Sequence, residues 1–106
     1  MKNDTERLRR RCVTALRANF AIDDALIAKE DLAWEERYIA GTASRADLLS
    51  KAPIYAKARS NRESAVNFAR SSIGLEGLTP TIAEQERARN FINGEISLAD
   101  FVAADR

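Results

Sequence analysis

Histidine does not occur in the 106 residues, and cysteine occurs once, at Cys12. An intrachain disulfide and a cysteine-based zinc site are thereby excluded, and metal catalysis loses its usual ligands. No metal site and no cofactor are expected. Only four glycines are present, and none belongs to a glycine-rich phosphate loop. Cys12 has no evident base to activate it as a nucleophile. The chain is not expected to be an enzyme, and no residue is assigned a catalytic role.

Charge of one sign is not in excess either. Seventeen basic residues against sixteen acidic ones leave a net charge of +1, so no overall field draws the chain to nucleic acid or an anionic membrane. Arg7, Arg9, Arg10, Arg11 and Arg17 make the first helix locally basic, which reads as a solvated or partner-facing surface. No apolar run approaches the roughly 18 residues of a membrane span, and Met1 to Arg11 is too charged for a secretory signal. The expected location is the cytoplasm, with no membrane contact. Large apolar side chains are scarce as well. The hydrophobic fraction is 45%, yet nineteen residues are alanine, so the core is thin and part of the apolar surface is left for a partner.

What the sequence does contain is helical periodicity, and no segment shows a strand's alternation. Asn3 or Asp4 can cap a first helix to about Phe20, with Leu8, Cys12, Val13, Leu16 and Phe20 as its apolar stripe. Asp23 and Asp24 offer a cap for a second helix carrying Leu26, Ile27, Trp34, Tyr38 and Ile39 and closed by Gly41. Trp34 and Tyr38, one turn apart, read as core or as an interface anchor. The acidic run Glu30, Asp31, Glu35 and Glu36 reads as the wet face of that helix rather than as paired catalytic carboxylates.

Ser44 with Asp47 has capping-box spacing and starts a third helix, with Leu48 and Leu49 inward and Pro53 as its limit. After Pro53 one long helix to Glu76 is expected, or a break near Ser60, because Ser60 and Glu63 also have capping-box spacing. Thr79-Pro80 starts the next helix, or Thr81 with Glu84 does. Phe91 and Ile92 lead to Gly94, and Ser97 caps a last helix whose Phe101 and Val102 face inward.

A shift of 53 residues superposes Tyr38 to Leu49 on Phe91 to Val102 with five of twelve pairs identical. The same shift pairs Arg9 with Arg62, Val13 with Val66 and Arg17 with Arg70. The expected fold is therefore all-α, about six helices in two diverged three-helix modules, residues 1–52 and 53–106.

Ser72 and Glu76 stand four residues apart, on one face of a helix, and Gly77 supplies a stop that leaves Glu76 at a helix tip. Ser72-x-x-x-Glu76-Gly77 resembles the inhibitory motif, Ser/Thr-x-x-x-Glu-Gly/Asn, of proteins that restrain Fic-domain AMP-transferases. With Leu75 to Pro80 and Phe91 to Ser97 around it, the stretch of about residues 60 to 103 is similar to the VbhA-type antitoxins. The first copy carries Asn19, Asp23 and Asp24 at the motif positions, so it is not expected to inhibit.

The resemblance implies an antitoxin whose partner is a Fic-domain toxin, in a heterodimer or higher complex. Its inhibitory helix spans about residues 60–76 and is followed by two more helices. Glu76 would enter the ATP phosphate site and pair with an arginine that otherwise holds the γ-phosphate, with Ser72 hydrogen-bonding nearby. Phe68, Ile73 and Leu75, together with Trp34 and Tyr38, would bury apolar area against the toxin. The alternative is a small helical DNA-binding regulator, since helix, glycine turn and serine-capped helix occur twice. Against nucleic acid as a partner, Leu98 to Arg106 carries Asp100 and Asp105 with a single arginine, a poor surface for phosphates.

Overall fold

The computed structural model describes residues 2–74 and 81–103, with side chains for residues 4–71 and 81–103. Six α-helices run through these residues: α1 Lys2–Asn19, α2 Lys29–Ala40, α3 Arg45–Lys51, α4 Pro53–Gly74, α5 Ile82–Ile92 and α6 Leu98–Ala103. No strand occurs among them, and the body measures 50 × 28 × 20 Å. No described helix is long and apolar enough to cross a membrane.

The 53-residue shift carries the helix boundaries with it. Lys29 and Arg45, the first residues of α2 and α3, fall on Ile82 and Leu98, the first residues of α5 and α6. The helix closures match too. Gly41 and Gly94 both sit at positive φ, +87° and +73°, and each closes its helix with the six-to-one and five-to-two hydrogen bonds of a Schellman turn. The first copy has a further such closure at Ala21, an alanine held at φ 55°. There Ile22 N–H donates to Arg17 O at 2.9 Å and Ala21 N–H to Ala18 O at 3.1 Å.

Helix starts follow the expected chemistry with two corrections, the first being that α1 already runs from Lys2, so Asn3 and Asp4 lie within it rather than before it. Ser44 and Asp47 form a reciprocal box, as do Thr81 and Glu84, so Thr81 rather than Thr79 begins α5. Asp23, however, caps only a 3-10 turn, Asp24–Leu26, accepting from Ala25 N–H at 2.9 Å. The true start of α2 is Ala28, which has no acceptor of its own, and Asp31 accepts its N–H at 3.0 Å instead. α4 is continuous through Ser60, without the alternative break.

Two apolar clusters hold the helices. The first joins Val13, Leu16 and Phe20 of α1 to Ile39, Leu48, Leu49, Ala52 and Tyr55, with Trp34, Tyr38 and Cys12 packed against it. The second is smaller: Val66, Ala88 and Phe91, with Ile92, Ile96 and Phe101. The first half of α4 thus serves one cluster and its second half the other. Three residues of the expected apolar stripes are in fact exposed, Leu8 at 62%, Val102 at 52% and Leu26 at 71%, the last in the 3-10 turn before α2. Leu8 sits one position off the stripe of α1 that turns inward, Arg9, Val13, Leu16 and Phe20.

Candidate functional site

The first module is closed by the opening turns of α4, and its buried carboxylates do the closing. Pro53 sits at the first helical position, where its missing N–H costs nothing, but the next N–H, on Ile54, needs an acceptor. Asp31 Oδ1 supplies it at 2.9 Å while Oδ2 holds Ala28 N–H, so one carboxylate caps α2 and α4 together. One turn on, Glu35 accepts from Arg17 Nε at 2.8 Å, from Arg17 Nη2, and from the Tyr55 hydroxyl at 2.5 Å.

Asp31 and Glu35 are 2% and 3% exposed. The expectation of a wet acidic face is therefore wrong for both. They are buried because each has charge-assisted partners that offset the loss of water. Arg17 is correspondingly not a surface cation: its hydrogen bond to Glu35 is the main cause holding its pKa above the ordinary value. Burial first, and then the bond to Glu35, likewise raises Tyr55. Donors from α1 and α4 thus converge on two carboxylates of α2 and tie the three helices together. Among the described residues, no group of three or more His, Cys, Asp or Glu side chains could hold a metal ion.

The two clusters meet at Arg62. Its guanidinium lies between the Phe20 ring, 4.7 Å away, and the Phe91 ring, 4.2 Å away. It donates to Phe91 O at 2.7 Å, to Ile96 O at 3.2 Å and to Asn19 O. Burial lowers its pKa from the ordinary value, and arginine is the side chain that stays charged there. Asn19 Nδ2 completes the junction by donating to Gly94 O at 2.8 Å. The equivalent Arg9 makes a looser version within the first module, donating to Ile39 O at 3.3 Å.

Beyond Arg62, α4 presents the helix that leads to the motif. Val66 faces the second cluster at 5% exposure, while Phe68, at 76%, stands on the outside with Ala65 and Ala69 also exposed. The backbones of Ser72 and Ile73 lie in α4, but their side chains, and all of Leu75, Glu76 and Gly77, fall outside the described residues. At the equivalent point the first copy has left the helix: α1 ends at Asn19, the counterpart of Ser72, whereas α4 continues through Gly74. Trp34 and Tyr38 are half-buried on α2. The Trp34 ring is covered by Arg37, 4.7 Å from its centroid, and by Lys51 at 5.4 Å. Burial, and then a hydrogen bond with Cys12, holds the Tyr38 pKa up.

No family model matches the chain, and comparison with curated proteins and with solved structures finds no significant match.

Proposed function

We propose that the chain is an antitoxin of the VbhA type, which binds a Fic-domain AMP-transferase and blocks AMP transfer with Glu76. The observation that carries the reading is the Ser72-x-x-x-Glu76-Gly77 sequence, whose first residue lies on the continuous helix α4. α4 is helical through Ser72, so that the motif's first residue rides on the same rod as Phe68. The exposed apolar and small residues Phe68, Ala65 and Ala69 offer area for an enzyme surface beside the motif. Arg62 fixes the middle of that rod against the rest of the molecule.

Inhibition needs only misalignment. A carboxylate and a phosphate oxygen make the same demand of arginine's planar fork, so Glu76 competes for the arginine that would hold the γ-phosphate. ATP then binds with its α-phosphorus out of line, and a misplacement of about 1 Å can cost on the order of 100-fold in rate. Ser72, one turn earlier, hydrogen-bonds within the same pocket.

Co-expression with a neighbouring reading frame that encodes a His-Pro-Phe-x-x-Gly-Asn-Gly-Arg stretch is the test. The chain is expected to copurify with that enzyme and to suppress transfer of labelled AMP from ATP. Failure to form a complex, or transfer that the chain does not change, would refute the proposal.

A further inference from the structure

Between α3, the first half of α4 and the turn after α5 lies a cavity of about 400 Å³. Arg45, at the start of α3, and Arg59, on α4, both line it, and both are tied to that one turn. Arg59 Nε donates to Asn93 Oδ1 at 2.8 Å, and Arg45 Nη2 stands 3.7 Å from Glu95 Oε1. The turn itself is fixed. Glu95 N–H donates to Asn90 O at 2.8 Å, Gly94 O accepts from Asn19 Nδ2 at 2.8 Å, and Phe20 packs against Gly94. Asn93 and Glu95, two positions apart on a rigid turn, therefore hold two guanidinium groups on one cavity before any ligand arrives.

The protein matches the charge of these arginines poorly. Arg17 has the Glu35 carboxylate in hydrogen-bond contact, whereas Arg59 has the neutral amide oxygen of Asn93. The Arg45–Glu95 pair is longer than a hydrogen bond, and with the Glu95 side chain 50% exposed it is also screened by solvent. The repeat does not call for these residues either. The 53-residue shift puts Leu98, Glu6, Ala40 and Thr42 at the positions of Arg45, Arg59, Asn93 and Glu95. Leu49 and Ala46 supply an apolar part of the lining beside the charges.

We propose that this cavity binds a small organic phosphate monoester. The phosphate dianion accepts from the forks of Arg45 and Arg59, one charge for each, and the organic part lies against Leu49 and Ala46. Glu95 gives up Arg45 and turns to solvent. A cavity of this size with an apolar wall and a few convergent polar groups suits a small molecule. The site is separate from Glu76 and does not depend on the inhibitory reading.

The test titrates phenyl phosphate, inorganic phosphate and benzoate into the full chain at about pH 7.5, where a phosphate monoester is chiefly dianionic, and follows amide chemical shifts. Phenyl phosphate is expected to shift the amides of Ala46, Ser50, Asn93 and Glu95 to saturation. Inorganic phosphate should shift the same amides with about tenfold lower affinity, and benzoate should not saturate them. Arg59→Gln should weaken phenyl phosphate by about tenfold or more. Glu95→Gln, which removes the competing carboxylate, should tighten it about threefold, a direction that a variant merely loosening the fold would not give. Both variants are checked for folding by circular dichroism. No saturable shifts at these amides, equal affinity for benzoate or for inorganic phosphate, or weaker binding by a folded Glu95→Gln would overturn the proposal.

Discussion

Tyr55 donates its hydroxyl proton to Glu35 at 2.5 Å across 20 positions of sequence, and this bond ties the start of α4 to the middle of α2. Glu35 also holds Arg17 from α1, so three helices converge on one buried carboxylate. Tyr55→Phe removes one of its donors and should lower stability by about 1–2 kcal/mol. Burial and Glu35 raise the Tyr55 pKa above its ordinary 10.0. A raised folded-state value gives stability that is complete below the unfolded pKa and is lost as pH climbs above it toward the folded one. Denaturant titrations from pH 8 upward should therefore show wild-type stability falling above about pH 10, with a shallower fall in Tyr55→Phe.

Asp31 caps two helices with one side chain. Asp31→Ala should cost about 2 kcal/mol, the sum of two caps of about 1 kcal/mol each. Asp31→Asn, which keeps one oxygen acceptor, should cost less. Urea unfolding of the three proteins gives the order.

The three positive-φ closures should respond in opposite directions. Ala21 bears the strain of a left-handed residue, so Ala21→Gly should stabilise by about 0.5–1 kcal/mol after its loss of unfolded-state restriction. Gly94→Ala adds strain to a collision, because the new Cβ would lie 2.6 Å from Phe20 Cζ and 2.7 Å from Cδ2. At Gly41 the nearest atom is the end of a mobile arginine, Arg9 Nη1. Thermal melts should place Gly94→Ala well below Gly41→Ala.

Arg62 bonds three carbonyls and stacks on two rings, which an ammonium cannot reproduce. Arg62→Ala should cost about 2–4 kcal/mol, and Arg62→Lys should recover less than half of that. Hydrogen exchange should speed up in α5 more than in α2, because the second cluster is the smaller and depends on this junction.

Local chemistry was legible in the sequence where a few neighbouring residues decide it. Ser44 with Asp47, Thr81 with Glu84, and Gly41 and Gly94 each state their role within four residues, and the 53-residue shift carries over to the helix starts. Burial of charge was not legible in this way. Asp31 and Glu35 look like a wet face until Arg17, Ile54 and Tyr55 are brought to them from other helices. Apolar periodicity likewise overstated the core at Val102, at Leu8, which stands one position off the buried stripe of α1, and at Leu26, which lies in the turn before α2. The proposed inhibitory role of Glu76 rests on the sequence motif, and Glu76 lies outside the described residues.

That role is tested most directly by Glu76→Gly in the purified complex with the Fic-domain enzyme, read out by pull-down and by transfer of labelled AMP from ATP. The variant is predicted to remain bound, because the proposed interface spreads over contacts besides Glu76, while AMP transfer rises by about 100-fold or more. Loss of binding together with inhibition would make Glu76 an anchor, and retained inhibition would make it a bystander. Either result contradicts competition for the phosphate-holding arginine.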